Sequence, residues 1–258
     1  AYTSYYPDPL HREFGDLDCY LLGDYEAGNR IALEAGATVD ESDYKHAHIE
    51  YKGLTIENHQ FLTGFNGTEH GKQTEYLLRE VLTGGNCYTP IRNTPLLTPN
   101  AMFSALFLLK HAQRHFEYEG IVVRHLLDWK LFLERNRDDL DWSLLNRMID
   151  QMHMRPFADL ITGWCVRRLG LCIDNPQIQY TLDCCLLDAF EQDLFTPRPM
   201  INNCCWWRKI PRILVRFRRM WRFKSLLDES YSARIWNTFA YSSYLHRRPK
   251  FDRDDVKC

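Results

Sequence analysis

The sequence predicts an α+β protein in which a small mixed sheet with helices is followed by an all-helical domain. Residues 46–52 and 54–60 alternate well enough to be paired strands, with Lys52-Gly53 as their tight connection. Residues 16–22 predict a further strand. From Asn100 onward, most segments carry apolar residues at three- and four-residue spacing, which is typical of helices.

Capping and breaking residues indicate where helices begin and end. Asp24 precedes a helix that should end near Ala35, because Gly36 follows where a left-handed residue is favoured. A second helix, 74–82, is broken by Gly84-Gly85. Later in the chain we expect helices from Trp142, after Asp141, and over 156–169, 176–191 and 210–224.

Three prolines interrupt the pattern between the two regions. Pro90, Pro95 and Pro99 follow one another within ten residues and indicate a linker. We therefore divide the chain here, into a sheet-containing domain over 1–90 and a helical domain over 91–258.

The composition excludes several classes of protein. Of 258 residues, 45% are hydrophobic and 26% are charged, as in soluble globular proteins. No apolar run approaches the ~20 residues of a membrane-spanning helix. The nine cysteines include adjacent pairs at 184–185 and 204–205 but no Cys-x-x-Cys, which favours buried free thiols over zinc ligands. We therefore expect a reducing, cytoplasmic location.

Three acidic residues are candidates for a metal site. Asp16 and Asp18 are one residue apart on a predicted strand and therefore point the same way. If 54–60 is a neighbouring strand, Glu57 brings a third carboxylate beside them. Converging carboxylates can hold Mg²⁺ against the phosphates of a nucleotide. A strand edge with two solvated acids is the alternative, although the apolar flanks favour a half-buried strand, where unpaired acids are costly.

These acids belong to a series of short motifs that runs from about Tyr5 to about Gly170. The series comprises Tyr5-Tyr6-Pro7-Asp8-Pro9, Arg12, Gly15-Asp16-Leu17-Asp18, His46-Ala47-His48, Ile56-Glu57-Asn58-His59, and the stretch from Leu109-Lys110-His111 to Arg124-His125-Leu126-Leu127-Asp128-Trp129. In order and content it resembles an uncharacterised bacterial nucleotidyltransferase family with the DNA polymerase β-like fold.

The resemblance implies a nucleotidyltransferase core over 1–90 that moves a nucleoside monophosphate from a triphosphate, expected to be ATP, to an acceptor hydroxyl. Asp16, Asp18 and Glu57 would be catalytic and would bind two Mg²⁺ ions. A Gly-Ser or Lys-Gly turn that holds phosphates would fall just before Ala1, so we expect the printed sequence to lack it. The residues expected to contact nucleotide or substrate are Arg12, Gly15, His48, His59, Arg124 and Asp128.

Two of these histidines leave alternatives open. His59 is two residues from Glu57 and could either orient that carboxylate or take a proton from an acceptor hydroxyl. His48 shares a face with His46, and the pair could reach phosphate or form a solvated side of the hairpin.

The remaining polar candidates also have two interpretations each. Arg12 could neutralise phosphate or be an ordinary surface arginine. Arg124 and Asp128, four residues apart, could form an intrahelical ion pair or help to close a cleft over the nucleotide. His111 and His115 lie one helical turn apart but lack the Glu of a zinc protease, so we expect packing or polar contacts between domains.

The segment 206–224 is strongly basic, with eight Lys or Arg and no acid. The rest of the chain has 24 basic and 34 acidic residues, a net charge of −10. An apolar stripe of Ile210, Ile213, Leu214, Phe217, Met220 and Trp221 is expected opposite Arg212, Arg216, Arg219 and Arg222.

Such a helix can dock on the acidic remainder of the protein, bind nucleic-acid phosphate, or lie on an anionic membrane surface. Two alternatives to an enzyme therefore stay open. One is a non-catalytic nucleotide-binding or partner-binding module of the same fold. The other is a nucleic-acid or membrane-surface adaptor that acts through 206–224.

Overall fold

A computed structural model describes residues 2–13, 16–64, 68–84, 88–90, 97–118, 120–196, 210–227 and 229–236. These residues form two compact units. The helical unit comprises 2–7 and 81–235, and the sheet unit comprises 8–80 with Trp236. The division into domains at residue 90 stays a prediction.

The sheet unit is built on a four-stranded mixed sheet. Its strands are β1 (Leu17–Tyr20), β2 (Thr38–Asp40), β3 (His46–Tyr51) and β4 (Leu54–His59), in the order β1-β4-β3-β2. β1 runs parallel to β4, whereas β3 is antiparallel to both β4 and β2. The mixed α+β class and its small mixed sheet are therefore confirmed.

The hairpin between β3 and β4 closes at the predicted two residues. Lys52 and Gly53 have φ angles of 49° and 80°. Positive φ at both central positions is what a type I′ hairpin turn requires, and this turn follows the natural twist of the strands. Because the turn has only two residues, it fixes which residues of β3 and β4 face each other.

Helix α1 (Tyr25–Glu34) is fastened to β4 by a buried asparagine. Asn58 is fully buried and donates from Nδ2 to the Tyr25 carbonyl at 3.0 Å and to Asn29 Oδ1 at 2.7 Å. Asp24 occupies the N-cap position, and Gly36, with φ of 84°, follows the helix end. Since neighbouring strand residues face opposite sides, the helix covers the Asn58 side and leaves the Glu57 side of β4 uncovered by α1.

Helix α2 (Glu69–Thr83) holds the chain that leaves β4. The buried carboxylate of Glu75 accepts from the backbone N–H groups of Leu62 and Thr63, at 3.0 and 2.8 Å. Arg79 donates to Glu75 at 2.7 Å and to the Gln60 carbonyl at 3.0 Å. These bonds fix residues 60–63, which directly follow the strand that carries Glu57 and His59.

The helical unit packs its helices around a cluster of phenylalanines. Phe116 lies at ring-centroid distances of 5.6, 5.8 and 5.2 Å from Phe157, Phe190 and Phe223. All four are fully buried. Its helices include α3 (Ala101–Tyr118), α4 (Val123–Asn136), α5 (Trp142–Gln151), α6 (Arg155–Leu169), α7 (Cys184–Phe195) and α8 (Ile210–Arg222).

The prolines that predict a linker lie partly in a small sheet. β5 (Tyr88–Pro90) pairs antiparallel with β6 (Leu97–Pro99). Pro95 lies outside the described residues. The described ends of this stretch are therefore short paired strands, which accept proline because a two-stranded sheet consists only of edges. The linker between the domains stays a prediction.

The helix predicted over 176–191 is wrong in its first half. α7 begins at Cys184, where Asp183 Oδ1 accepts from the backbone N–H groups of Cys185 and Leu186 at 2.9 and 3.2 Å. Ahead of this cap, Thr181 donates its N–H to the Asp159 carbonyl of α6 at 3.1 Å. The contact with α6 uses backbone groups that a longer α7 would need for its own hydrogen bonds.

The amphipathic pattern predicted for 210–224 is also wrong in part. Arg219 is buried and pairs with Asp193 at 2.8 Å, and the Arg216 guanidinium lies 3.8 Å from the centre of the Tyr118 ring. Met220 of the expected apolar stripe is buried, but Ile213, Leu214 and Trp221 are 41, 56 and 59% exposed. The partners on α3 and α7 turn two arginines inward, so the described part of this segment docks on its own unit.

Gly163 offers a test of the contact between α6 and the chain ahead of α7. A Cβ at this position would lie 1.9 Å from the Thr181 carbonyl oxygen, which is backbone and cannot rotate away. We expect Gly163→Ala to lower the free energy of unfolding by about 1–3 kcal/mol, measured by urea titration.

Gly28→Ala in α1 is the matched comparison. There the nearest atom is the end of the Leu21 side chain, which can move, so the cost should be smaller. If Gly163→Ala instead stabilised the protein, as the higher helix propensity of alanine alone would suggest, the close approach would be refuted.

Candidate functional site

Acidic and imidazole side chains gather on one face of the sheet unit. In the strand register Asp18 is paired with Glu57, which is paired with His48. In a neighbouring row His59 is paired with His46. Paired residues, and residues two apart on a strand, share a face. All five side chains therefore lie on the same side of the sheet.

Glu57 is at the centre of this group. Its Oε1 lies 3.5 Å from His46 Nε2 and 3.6 Å from His48 Nδ1, and its Oε2 lies 3.3 Å from His59 Nε2. The hydrogen bond from His59 lowers the pKa of Glu57 and outweighs the effect of burial. Glu57 is therefore an ionised carboxylate, although its side chain is only 13% exposed.

His59 bridges the two strands that carry the acids. Its Nδ1 lies 3.0 Å from the Phe61 carbonyl and its Nε2 lies 2.8 Å from Asp18 Oδ1. Both partners are acceptors, so both ring nitrogens donate and the ring is an imidazolium. Burial acts to lower the pKa of His59, but the hydrogen bonds to Asp18 and Glu57 raise it above its ordinary value.

Asp16 completes a group of three carboxylates. It lies one residue before β1 and two residues from Asp18. Burial, and then the negative charges of Asp18 and Glu57, raise the pKa of Asp16, and a hydrogen bond with Glu57 acts in the same direction. Strand pairing thus sets Asp18 beside Glu57, and Asp16 lies close enough to both for their charges to act on it, although it lies outside the observed strand.

The donor set fits a divalent cation. Carboxylate oxygens are the ligands that Mg²⁺ uses in proteins. Burial is the largest cause that raises the pKa of Asp16, and the charges of Asp18 and Glu57, which a cation would neutralise, come next. His46, Glu57 and His59 each also have a possible ligand atom within 4.8 Å of the other two. Because His59 is an imidazolium, it could bind a metal only after losing a proton, so the carboxylates are the metal ligands that the folded protein offers first.

His46, which the sequence pairs with His48 as a possible phosphate contact, lies deeper in the site than the sequence indicates. It is buried, and its Nε2 lies 3.1 Å from His48 Nε2 in addition to its approach to Glu57. Burial is the main cause that lowers its pKa. The signal that could have predicted this position is the two-residue turn at Lys52-Gly53, which places residue 46 opposite residue 59 by simple counting along the hairpin.

Three further predicted site residues are His48, Arg12 and Gly15. His48 touches Glu57 and is partly exposed. Arg12 follows a 3₁₀ turn, Pro9–His11, in the sheet unit and donates to the Glu13 carbonyl at 3.4 Å. Gly15 lies outside the described residues. The roles of these three residues stay predictions.

Arg124 and Asp128 lie on α4 in the helical unit. Asp128 is buried and accepts a hydrogen bond of 2.9 Å from the Tyr6 hydroxyl. The neighbouring Tyr5 ring packs edge-on against Phe132 at 5.4 Å. The two tyrosines of the first motif are thus bound to the helix that carries the last motif.

Comparison with known proteins places the chain in a family. Residues 1–170 match the model of a family described as uncharacterised nucleotidyltransferase.

The chain belongs to the uncharacterised nucleotidyltransferase family. The match covers about two thirds of the sequence and includes every strand of the four-stranded sheet. It confirms the resemblance carried by the short motifs, and membership of this nucleotidyltransferase family indicates nucleotidyl transfer. Neither the curated proteins nor the solved structures contained a match. None of the described helices is long and apolar enough to cross a membrane.

The charge on His59 gives this nucleotidyltransferase a testable dependence of stability on pH. We expect His59→Gln, which keeps a neutral donor, to destabilise the metal-free protein by about 1–2 kcal/mol near pH 5.5, because it loses a charged hydrogen bond. Since the folded-state pKa of His59 is raised, this stabilisation is present below about pH 6.5 and disappears as the pH rises through the folded-state value.

The measurement is urea unfolding of both proteins in the presence of a chelator across this pH range. His11→Gln serves as the control, because the His11 side chain is 78% exposed. A difference between wild type and His59→Gln that stayed constant with pH would show that folding does not raise the pKa of His59.

Proposed function

We propose that this protein transfers a nucleoside monophosphate from a nucleoside triphosphate, with ATP as the expected donor, to an acceptor hydroxyl. Asp16, Asp18 and Glu57 are the proposed catalytic residues. The observation that carries the proposal is the strand register that sets Asp18 beside Glu57, with His59 within hydrogen-bonding distance of Asp18 and Glu57.

The three carboxylates would hold the divalent ions, with Mg²⁺ as the first choice and two ions expected from the family resemblance. Such ions, when bound, neutralise phosphate charge and make the α-phosphorus a better electrophile. His46 and His48 approach Glu57 from the neighbouring strand and limit how its carboxylate can turn.

The reaction forms a bond between the acceptor oxygen and the α-phosphorus while the bond from that phosphorus to the bridging oxygen breaks. Pyrophosphate leaves with the electron pair of the broken bond. Glu57 is the proposed acceptor of the hydroxyl proton, because it is ionised and largely shielded from water. This role also needs the carboxylate to be held in place.

His59 is the residue that would hold the carboxylates in place. Its two ring nitrogens are already engaged with the Phe61 carbonyl and the Asp18 carboxylate. An imidazolium in these contacts has no lone pair with which to accept a proton. Of the two roles that the sequence leaves open, orientation of the carboxylates is therefore the one that the geometry supports.

The proposal includes further contacts with nucleotide or substrate. Arg12 and His48 would contact nucleotide or substrate from the sheet unit. Gly15, Arg124 and Asp128 are carried over from the family resemblance. Nucleic acid stays a proposed acceptor or partner, through the basic segment 206–224, and a cytoplasmic location stays a proposal as well.

The test is release of pyrophosphate from each nucleoside triphosphate with Mg²⁺, together with transfer of an α-labelled nucleotide to RNA, protein or small-metabolite fractions. We expect Asp18→Asn and Glu57→Gln each to lower the rate at least ~100-fold, because each removes an anionic ligand at the reacting phosphate. Glu34→Gln, at an exposed position on α1, should leave the rate unchanged.

Binding of MgATP is followed in parallel by the shift in melting temperature. Binding without release of pyrophosphate would favour the non-catalytic module of the same fold. If Asp18→Asn released pyrophosphate at the wild-type rate, the proposed role of the carboxylates in the reaction would be refuted.

A further inference from the structure

We propose that His111, His115 and His125 form a second metal site, in the helical unit, that binds a transition-metal dication such as Zn²⁺. Nothing in the proposed nucleotidyl transfer uses these three residues. The sequence spacing indicates only His111 and His115, and His125 lies on the next helix.

The three rings converge at the junction of two helices. His111 and His115 are one turn apart on α3, and His125 lies in the first turn of α4. Their ring centroids are separated by 4.5 Å (111 to 115), 4.9 Å (115 to 125) and 5.7 Å (111 to 125). One nitrogen of each ring lies within 4.8 Å of a nitrogen of the other two.

These separations are close to those of a metal site. Zinc binds imidazole nitrogen at about 2.0–2.1 Å, so nitrogens on a tetrahedral ion are about 3.4 Å apart. The ligand atoms of the three rings lie within 4.8 Å of one another, and side-chain rotation is the movement that would bring them closer. The i and i+4 positions on α3 already hold the first two rings side by side.

A buried carboxylate lies three residues after His125 on α4. Burial, and then the charge of His115, lower the pKa of His125 to about 4, whereas the negative charge of Asp128 acts in the opposite direction. The Tyr6 hydroxyl holds this carboxylate at 2.9 Å. On the other side, the Phe107 ring stacks on His111 at 5.9 Å and restricts its orientation.

Coordination by His125 has a defined cost. In the structure its Nδ1 accepts a hydrogen bond of 3.3 Å from the Val122 N–H. A metal either takes the place of that N–H at Nδ1, or takes Nε2 and moves the ring proton to Nδ1; both routes give up this bond. At 3.3 Å it is longer than a typical N–H bond of 2.9–3.0 Å, and its loss costs about 1 kcal/mol.

The donor chemistry determines which ion is bound. Three imidazoles suit Zn²⁺, Ni²⁺ or Cu²⁺, whereas Mg²⁺ prefers oxygen. Three protein ligands leave a fourth position for water or an anion, as in zinc sites that bind substrates. All three rings are half-buried, so this position can be reached from solvent. A bound ion would tie the end of α3 to the start of α4 and stabilise the helical unit.

The experiment is a calorimetric titration of the chelator-treated protein with Zn²⁺, repeated with Co²⁺ to observe visible absorption bands. We expect His125→Ala and His111→Gln each to weaken zinc binding at least ~10-fold, since each removes a ligand. We also expect Zn²⁺, but not Mg²⁺, to raise the melting temperature of the wild-type protein, and the effect to be lost in both variants.

His46→Ala is the matched control, because it removes an imidazole from the carboxylate site of the sheet unit instead. It should leave one zinc equivalent bound with wild-type affinity. Circular dichroism confirms that each variant is folded, and His111→Gln replaces His125→Ala if the latter is not. Zinc binding that is lost in His46→Ala but kept in both His125→Ala and His111→Gln would overturn the proposal. So would the absence of binding tighter than ~10⁻⁵ M in the wild type.

Discussion

The parallel pairing of β1 with β4 is the constraint on which the site of this nucleotidyltransferase depends. It places Asp18 beside Glu57, although the two residues are far apart along the chain. Parallel neighbours cannot be joined by a tight turn and need a crossover, here made by α1 and the β2–β3 strands. Asn58 locks this arrangement from the other face by binding α1 through Tyr25 and Asn29.

The charges on the site face explain why it is both strained and suited to cations. Burial raises the pKa of Asp16, and repulsion by the charges of Asp18 and Glu57 raises it further. The imidazolium of His59 offsets part of this repulsion by donating to Asp18 and approaching Glu57. Asp16 and Asp18 are exposed, whereas Glu57, His46 and His59 are largely buried, so the charged face joins solvent to a buried carboxylate. Titratable groups clustered in this way are typical of functional sites.

The helical unit shows a different principle, in which particular partners override the periodic pattern. The contact of Thr181 with α6 delays the start of α7, and Gly163 permits that close approach. Asp193 and Tyr118 draw Arg219 and Arg216 of α8 inward, against the expected amphipathic order. In each case a polar group found a specific partner whose position no local pattern encodes, because hydrogen bonds and ion pairs depend on groups from other helices.

By itself the sequence determined the features that local chemistry controls. Lys52-Gly53 specified the hairpin and therefore its register, and Asp24 and Gly36 bounded α1. Only the tertiary structure decided that His59 reaches Asp18, 41 residues away, and that His125 joins His111 and His115. The physical reason is that turns and periodicity act within a few residues. The pairing of distant segments is chosen instead by burial and by partners that meet only once the chain has folded.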